Sequence, residues 1–205
     1  MDFEYNEKQV QEADKAADAI TESGAYIGKF TQVNGIEAAS GAKGLEFHFT
    51  SPGVGDASFN LYTHGKDGKE IFGMNQVQAI MFLCGAKSMK AVKGKMDKWE
   101  ENAEGKRVKV EADGDTYPAL CEKPIGVVMQ KELYTTNKGG SSSRINLYGT
   151  FQAETQFMSS EIKNKATKPV KLARLLAGLK TKDSRKAAQS ESAQPSMGAL
   201  PDGDY

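Results

Sequence analysis

Residues 44–64 read GLEFHFTSPGVGDASFNLYTH. The fold that we expect for the chain is inferred mainly from this stretch. It predicts two strands joined by a turn rich in glycine and proline. Leu45, Phe47 and Phe49 alternate with polar residues in the first strand, and Phe59 begins the same alternation in the second. Because side chains of a strand switch faces at every residue, one face of this pair builds a core. The other face presents hydrogen-bonding groups and an aromatic ring, and we expect it to be the functional surface.

The remaining elements follow from the hydrophobic period and from the positions of glycine and proline. In chain order they are a helix at 7–22, a strand at 25–33 broken by Asn34-Gly35, the central strands, a helix at 74–84, strands at 106–111, 125–135 and 144–151 with a loop at 137–143, and a helix at about 170–180. This order predicts a mainly β OB-fold, a partly open Greek-key barrel, with a helix between strands 3 and 4 and with N- and C-terminal helices. A β-sandwich or an α+β sheet fits the same order.

We expect one domain over residues 1–182 and a tail over 183–205. The tail is rich in Ser, Gln, Ala, Pro and Gly, a composition that predicts disorder. It ends with Asp202, Asp204 and Tyr205. Such an ending is either an unselected terminus or a short anionic peptide. As a peptide it would dock on partner proteins, or lie in a DNA groove until DNA displaces it.

Charge is distributed unevenly, although the formal net charge is zero. Residues 1–24 hold seven acids against two bases, and residues 191–205 hold three acids and no base. Residues 25–190 carry 25 bases against 17 acids. This distribution favours an anionic ligand for the body of the chain, with ordinary scatter on a solvated surface as the alternative.

The two cysteines and the lack of long apolar runs indicate the cellular compartment that suits the protein. Cys84 and Cys121 have neither pairing nor zinc-binding spacing, so we expect free thiols in a reducing compartment. No stretch has the pattern of a signal peptide or of a membrane span. The sequence therefore predicts a soluble, cytosolic protein without a membrane partner.

Signatures of catalysis are scarce. The two histidines, His48 and His64, have no Ser or Cys nucleophile pattern beside them, and no glycine-rich phosphate motif is present. Glu111, Asp113 and Asp115 alternate as the carboxylates of a metal-dependent nuclease do. The Asp-Gly-Asp sequence also suits a hairpin turn, which we favour. We therefore expect no enzymatic activity, no metal and no cofactor.

Binding of a single nucleic-acid strand requires cations for the phosphates and exposed aromatic rings for the bases. Strand parity and the basic stretches supply residues of both kinds. The candidate nucleic-acid-binding residues are Lys29, Asn60, Tyr62, His64, Arg107, Lys109, Lys131, Tyr134, Lys138, Arg144 and Tyr148. Tyr62 and Tyr148 are the preferred stacking residues, although each tyrosine taken alone also suits a packing role.

Several segments resemble single-stranded-DNA-binding proteins of tailed bacteriophages. They are MDFEYN, AYIGKF, GLEFHFTSPG, FNLYTHGKDG and FGMNQVQAIMFLCGAK, and the similarity covers about residues 1–160. The resemblance implies an OB-fold that coats single strands cooperatively in phage replication or recombination, in the cytoplasm of the infected bacterial host. It implies no catalysis and no cofactor. The ending PDGDY is similar in kind to the partner-binding tails of such proteins, but it has only two acids and ends in tyrosine rather than phenylalanine.

The expected function is therefore sequence-tolerant binding of single-stranded DNA, weakened by salt, with replication or recombination proteins as partners of the tail. The alternative is a protein–protein adaptor that uses the same barrel and the leucine-rich helix near 172–179. Residues 163–186 hold nine bases and one acid, and they are a candidate for binding duplex DNA.

Overall fold

The chain folds into a mainly β structure, as the alternating pattern predicts. The computed structural model describes residues 19–101, 107–136 and 139–185. The elements are β1 (Gly24–Glu37), β2 (Lys43–Ser51), β3 (Gly55–His64), α1 (Phe72–Leu83), β4 (Val92–Glu101), β5 (Arg107–Thr116), a 3₁₀ turn (Pro118–Leu120), β6 (Pro124–Thr135), β7 (Ser141–Phe151), α2 (Ser159–Lys163), α3 (Lys171–Ala177) and β8 (Lys182–Ser184). The strands form an open, largely antiparallel sheet in which β8 runs parallel to β6.

β1 is shared by two groups of strands, and this sharing organises the fold. Up to Lys29 it pairs with β6, and from Lys29 onward it pairs with β2. A register shift between Phe30 and Gln32 marks a bulge just after this changeover, and bulges bend strands. Gly28 has no room for a side chain, because a Cβ atom would lie 1.9 Å from the carbonyl oxygen of Thr50.

The first group, β1–β2–β3, holds a core of aromatic rings on its inner face. The rings of Phe47 and Phe59 stack with their centroids 5.3 Å apart, and Phe30 lies 4.9 Å from Phe47. Contacts of this kind stabilise a core beyond the burial of apolar area alone. Residues between these phenylalanines along β2 and β3 are more exposed, so the predicted two-faced pair of strands is confirmed.

The second group consists of β6 and β7, and it meets the first group on both sides. β6 pairs with the first half of β1, while β7 lies against β3. Buried residues of both groups, including Phe59, Ile125 and Leu147, belong to one core cluster. The β4–β5 hairpin extends away from this core, joined to β1 through the pairing of Asn34 with Thr116.

The helices cover different parts of this sheet. α1 lies between β3 and β4 in the chain, as predicted, and buries Val77 and Ile80. Its first turn touches β3 so closely that a Cβ atom on Gly73 would lie 2.0 Å from the carbonyl oxygen of Tyr62. α3, the predicted C-terminal helix, packs Leu172 against Val128 and Phe151.

Two predicted turns are wrong because strand partners distant in sequence override the local preference. Asn34 and Gly35 continue β1, where they pair with Glu46 and Leu45, rather than ending it. The Asp-Gly-Asp sequence lies within β5, with Gly114 opposite Gly94, and is not a hairpin turn. Turn propensity is a local tendency that a long ladder can outweigh.

Other element boundaries also differ from the sequence prediction. Residues 19–22 of the expected amino-terminal helix are not helical, because Ala19 bridges to Asp56 and the Ile20 N–H donates to the Asp56 carbonyl oxygen at 2.8 Å. The rest of that helix lies outside the described residues. The lysine-rich β4 and the short α2 were not predicted, β5 extends beyond the strand predicted at 106–111, and residues 141–143 of the expected loop belong to β7.

Candidate nucleic-acid interface

The outer face of β2 and β3 presents three of the sequence-predicted residues but few charges. Asn60 is exposed, while Tyr62 and His64 are half-buried. Residues 44–64 contain no lysine or arginine, whereas Glu46 and Asp56 both lie on this face. Phosphates bind where cations neutralise them. The outer face is therefore poorly suited to carry the phosphate backbone by itself.

A polar cluster around His48 occupies the middle of this outer face. Nδ1 of His48 lies 3.2 Å from Oγ of Ser58, and Nε2 lies 3.4 Å from both Nδ2 of Asn34 and the Glu46 carboxylate. Asn34 is fully buried, and its Oδ1 has no hydrogen-bond partner among the described residues. Asp56 lies beside this cluster and lines a cavity of about 240 Å³ with His48 and Ser58. The sequence signal was the alternation of His48 with phenylalanines, yet its contact with Asn34 requires the pairing of β1 with β2.

Glu132 engages the predicted residue Arg144 at the far end of β6 and β7. The buried carboxylate accepts hydrogen bonds from Arg144 Nε at 2.8 Å, Asn146 Nδ2 at 2.7 Å and Ser184 Oγ at 2.7 Å, and it pairs with Lys182 Nζ at 2.9 Å. Arg144, then Lys182 and Ser184, hold the pKa of the Glu132 carboxyl well below its usual range. This cluster fastens β8 to β6, and it was invisible in the sequence because β8 is distant from β6 along the chain.

Two further predicted residues at this end are also engaged. The Arg144 guanidinium lies over the Tyr134 ring, 5.1 Å from its centroid, in a cation–π contact. Lys131 Nζ pairs with Glu22 Oε1 at 2.6 Å. The structure therefore places Tyr134 and Arg144 in contact with each other rather than displaying them separately for a ligand.

Lys29 near the start of β1 and two lysines of β4 are likewise paired with acids. Lys29 forms an ion pair with Glu122. On the hairpin, Lys93 pairs with Asp115 at 2.8 Å and Lys95 pairs with Asp113 at 3.1 Å. Exposed ion pairs of this kind contribute little stability, but each acid reduces the charge available for a phosphate.

The carboxylates considered for a nuclease do share one face of β5. Glu111 and Asp113 both lie within ion-pair distance of Lys95, and Asp115 faces Lys93. Within the ranges that the structure describes, no three His, Cys, Asp or Glu side chains are grouped to hold a metal ion. The arrangement is that of a cross-strand ion-pair ladder along the hairpin.

Both cysteines are free, as predicted. Burial raises the pKa of the Cys84 thiol to about 11, and burial also raises the pKa of Cys121. A thiol with a raised pKa is mostly protonated at neutral pH and is a poor nucleophile. Neither cysteine therefore has the environment of an activated nucleophile.

Tyr148 lines a groove between β7 and the start of α1. Its side chain is 42% exposed, and Phe72, which lines the same groove, is 73% exposed. This groove, called here the Tyr148 groove, has a volume of about 180 Å³, and the other lining residues are Asn75, Gln76, Ala79, Leu147, Gly149, Thr150, Met158 and Ser159. None of these residues is charged. Sequence reasoning identified Tyr148 but missed Phe72, which lies just before the helix predicted at 74–84.

The Tyr148 groove adjoins a larger cavity that contains lysines. This Lys163 groove has a volume of about 580 Å³, is lined by Lys87 and Lys163, and shares Asn75, Ala79 and Ser159 with the Tyr148 groove. Among the residues that the structure describes, no acidic residue lines either groove. The two grooves therefore place aromatic rings and lysines next to each other along α1.

The segment from α2 to β8, of which Ser159 and Lys163 line the Lys163 groove, is rich in bases. Before Asp183, this segment contains one acidic residue, Glu161, and its side chain is buried. Burial acts to raise the pKa of the Glu161 carboxyl, but backbone N–H donors of Met158, Lys171 and Val170 outweigh it and lower the pKa. The bases of this segment are Lys163, Lys165, Lys168, Lys171, Arg174, Lys180 and Lys182. We call this stretch, residues 159–182, the cationic segment.

Some predicted residues lie beyond what the structure describes. The backbones of Arg107 and Lys109 belong to β5, but their side chains are not among the described atoms. Lys138 and the tail residues Asp202, Asp204 and Tyr205 also lie outside the described ranges. Their predicted roles remain predictions from the sequence.

Comparison with known proteins gave no match to a family model and no curated protein of significant similarity. Among the described residues, no helix combines the length and the apolar character that a membrane crossing requires. The features of this chain that bear on its function are therefore the geometry of the grooves and the charges around them.

Proposed function

We propose that this protein binds single-stranded DNA without reading its sequence and without catalysis. The observation that carries the proposal is the presence of two exposed rings, Tyr148 and Phe72, in a groove that adjoins the lysines of the Lys163 groove. Every base has a flat face that can stack on an aromatic ring, and every phosphate can bind a lysine. Such an interface tolerates any sequence.

The proposed path of the strand runs along α1 rather than across the middle of β2 and β3. The phosphates would lie near Lys87, Lys163 and the cationic segment, and one or two bases would stack on Tyr148 and Phe72. Acids on the outer face, Glu46 and Asp56, disfavour the alternative path across the His48 cluster. Tyr62 lies close to the proposed path, because its carbonyl oxygen touches the first turn of α1.

The strand arrangement supports an OB-fold as the architecture of this interface. β1, β2, β3, β7 and β6 surround one core, with β1 bent between the two groups and β7 lying against β3. A partly open five-stranded barrel has this organisation, and OB-folds bind oligonucleotides on their surface. In this interpretation, α1 is the helix between barrel strands 3 and 4, and the β4–β5 hairpin is an insertion.

The resemblance to single-stranded-DNA-binding proteins of tailed bacteriophages extends the proposal to a biological role. The protein would coat and protect single strands during phage replication or recombination, in the cytoplasm of the infected host. The acidic tail with Asp202, Asp204 and Tyr205 would contact replication or recombination proteins. The barrel would bind the DNA, and the tail would bind the partner proteins.

The leucine-rich helix gives the adaptor alternative less support than the grooves give DNA binding. Leu172 is buried, and Leu175, Leu176 and Leu179 are partly buried against the cluster of Val128 and Phe151. An adaptor could therefore offer a partner only the exposed parts of these last three leucines.

Substitution of Tyr148 tests the proposed interface. Stacking contributes roughly 1–3 kcal/mol per base, so Tyr148→Ala is expected to weaken binding of labelled oligo(dT) about tenfold in a fluorescence-polarisation titration. Tyr148→Phe keeps the ring and serves as the matched control, with affinity close to that of the unmodified protein. Equal affinity for all three proteins would remove Tyr148 from the interface, and no binding of oligo(dT) by any of them would end the proposal.

A further inference from the structure

A further cleft lies along α1 at the mouth of the proposed barrel, and it shares Gln78 and Met81 with the Lys163 groove. It has a volume of about 440 Å³ and is bounded by the ends of β2 and β3, by α1 and by Met89 and Tyr117. Pockets of this size at barrel mouths, mostly apolar with a few convergent polar groups, are typical small-ligand sites. We call it the Lys43 cleft.

The rim of the Lys43 cleft is positively charged. Lys43 and His64 pair across the β2–β3 ladder, so both side chains stand at the same end of the cleft. Lys43 is exposed and forms no ion pair with any described residue. No acid is among the described residues that line the cleft, although Glu37 pairs with Lys43 across the β1–β2 ladder and Glu70 bridges to His64. An anionic group is therefore the ligand that this rim favours.

Thr63 fixes the position of the His64 ring at this rim. The Thr63 hydroxyl lies 2.9 Å from Nδ1 of His64 and 3.3 Å from the Lys43 carbonyl oxygen. When its single proton is donated to Nδ1, the proton of the neutral ring is on Nε2, which can then donate to an anion. Thr63 itself is 6% exposed, so it is held in place by the core. Because Nδ1 is engaged, Nε2 of His64 is the ring nitrogen left for a ligand, and no described residue bonds to it.

The walls of the cleft suit a flat ring. Met74, Met81 and Met89 line it together with Tyr117. Methionine side chains are flexible and polarisable, and their sulfur atoms contact aromatic rings favourably. Gln78 also lines the cleft, and its amide both donates and accepts hydrogen bonds, as the edge of a nucleobase requires.

We propose that the Lys43 cleft binds one nucleotide, with its phosphate on Lys43 and His64 and its base between the methionines and Tyr117. The ligand is either a free mononucleotide or the phosphorylated terminal nucleotide of a strand, because both present the same ring and anion. This site is separate from the Tyr148 groove, so it does not depend on strand binding there.

Methyl NMR of the full chain with labelled methionine tests this proposal. 5′-dTMP is expected to shift the methyl signals of Met74 and Met89 and to bind about tenfold more tightly than thymidine, which lacks the phosphate. Lys43→Ala should remove most of that preference. Lys123→Ala, which removes an exposed lysine that does not line the cleft, should leave it unchanged.

Two oligonucleotides distinguish the possible sources of the nucleotide. If an oligo(dT) with a 5′-phosphate shifts the two methyl signals and the same oligo with a 5′-hydroxyl does not, the cleft binds strand ends. If dTMP alone shifts them, the cleft binds free nucleotides. Methyl signals that dTMP leaves unmoved, or equal affinities for dTMP and thymidine, would overturn the proposal whether or not the Tyr148 groove binds DNA.

Discussion

Tyr134 and Tyr148 show how one contact decides whether an aromatic residue is available to a ligand. Both occupy the paired strands β6 and β7, and strand parity predicted both as binding residues. Tyr134 is covered by Arg144, which the buried Glu132 holds in place. Tyr148 faces an uncharged groove and remains exposed. Strand parity predicts on which face of the sheet a side chain lies. Whether another side chain covers it there depends on residues distant in sequence.

Glu132 is expected to make stability depend on pH. Its folded-state pKa is depressed, so its contribution is fully present above the unfolded value, roughly 4.3, and is lost as the pH falls from there toward the folded-state pKa. Glu132→Gln should lower the free energy of unfolding at pH 7 by about 1–3 kcal/mol, because Arg144 and Lys182 lose their partner.

Denaturant unfolding at pH 7 and pH 3 measures this contribution. The unmodified protein should lose more stability between the two pH values than the Glu132→Gln variant does. Glu154→Gln, at an exposed position, is the matched control and should behave as the unmodified protein. Parallel pH profiles for the protein and for Glu132→Gln would contradict the role assigned to the cluster.

Among the secondary-structure elements, β1 connects the two halves of the fold because it pairs with strands of both groups. Its changeover from β6 to β2 lies next to Gly28, whose Cα closely approaches the backbone at Thr50. A side chain there would push the two groups apart. Such crowding in a packed interior has few ways to relax.

Gly28→Ala is expected to lower the free energy of unfolding by about 1–3 kcal/mol, the usual range for an overpacked site. The matched control is Gly140→Ala in the β6–β7 turn, where the nearest atom would be 3.4 Å from the new Cβ. Chemical denaturation of both variants gives the comparison. If the two substitutions had the same small effect, the close approach at Gly28 would not constrain the fold.

The central strands and the helices α1 and α3 could be predicted because their apolar residues follow clear periods. β4 could not, because its apolar residues are few and its lysines resemble a solvated stretch. It is a strand because β5 pairs with it along its length. Phe72 was missed for a related reason. The period of α1 identifies the buried line of the helix, whereas the exposed Phe72 ring becomes a candidate only because it lines the same groove as Tyr148 of β7.

At the scale of the whole molecule, the charges are separated between surfaces. The middle of the β2–β3 outer face carries Glu46 and Asp56, whereas Lys87 and Lys163 line the Lys163 groove. The sequence predicted a basic body but not its location, since that depends on where α2 and α3 pack. The tail adds acids that the cationic segment would attract.

Removal of residues 190–205 is expected to tighten binding of single-stranded DNA if this acidic stretch competes for the cations. Competition of this kind is electrostatic, so the gain should shrink as salt rises. Polarisation titrations of the shortened and full chains at two salt concentrations measure it. Identical affinities at low salt would contradict competition by the tail while leaving the interface itself untouched.

The most direct test of single-stranded-DNA binding is a polarisation titration with labelled oligo(dT) and with a duplex of the same length, at low and at moderate salt. Neutralisation of Z phosphates on a single strand predicts a slope of about −0.7Z for log K against log salt. The proposal predicts tight binding of the single strand, a clear preference over the duplex and a steep loss of affinity with salt. Absence of binding at every salt concentration, or a preference for the duplex, would contradict it.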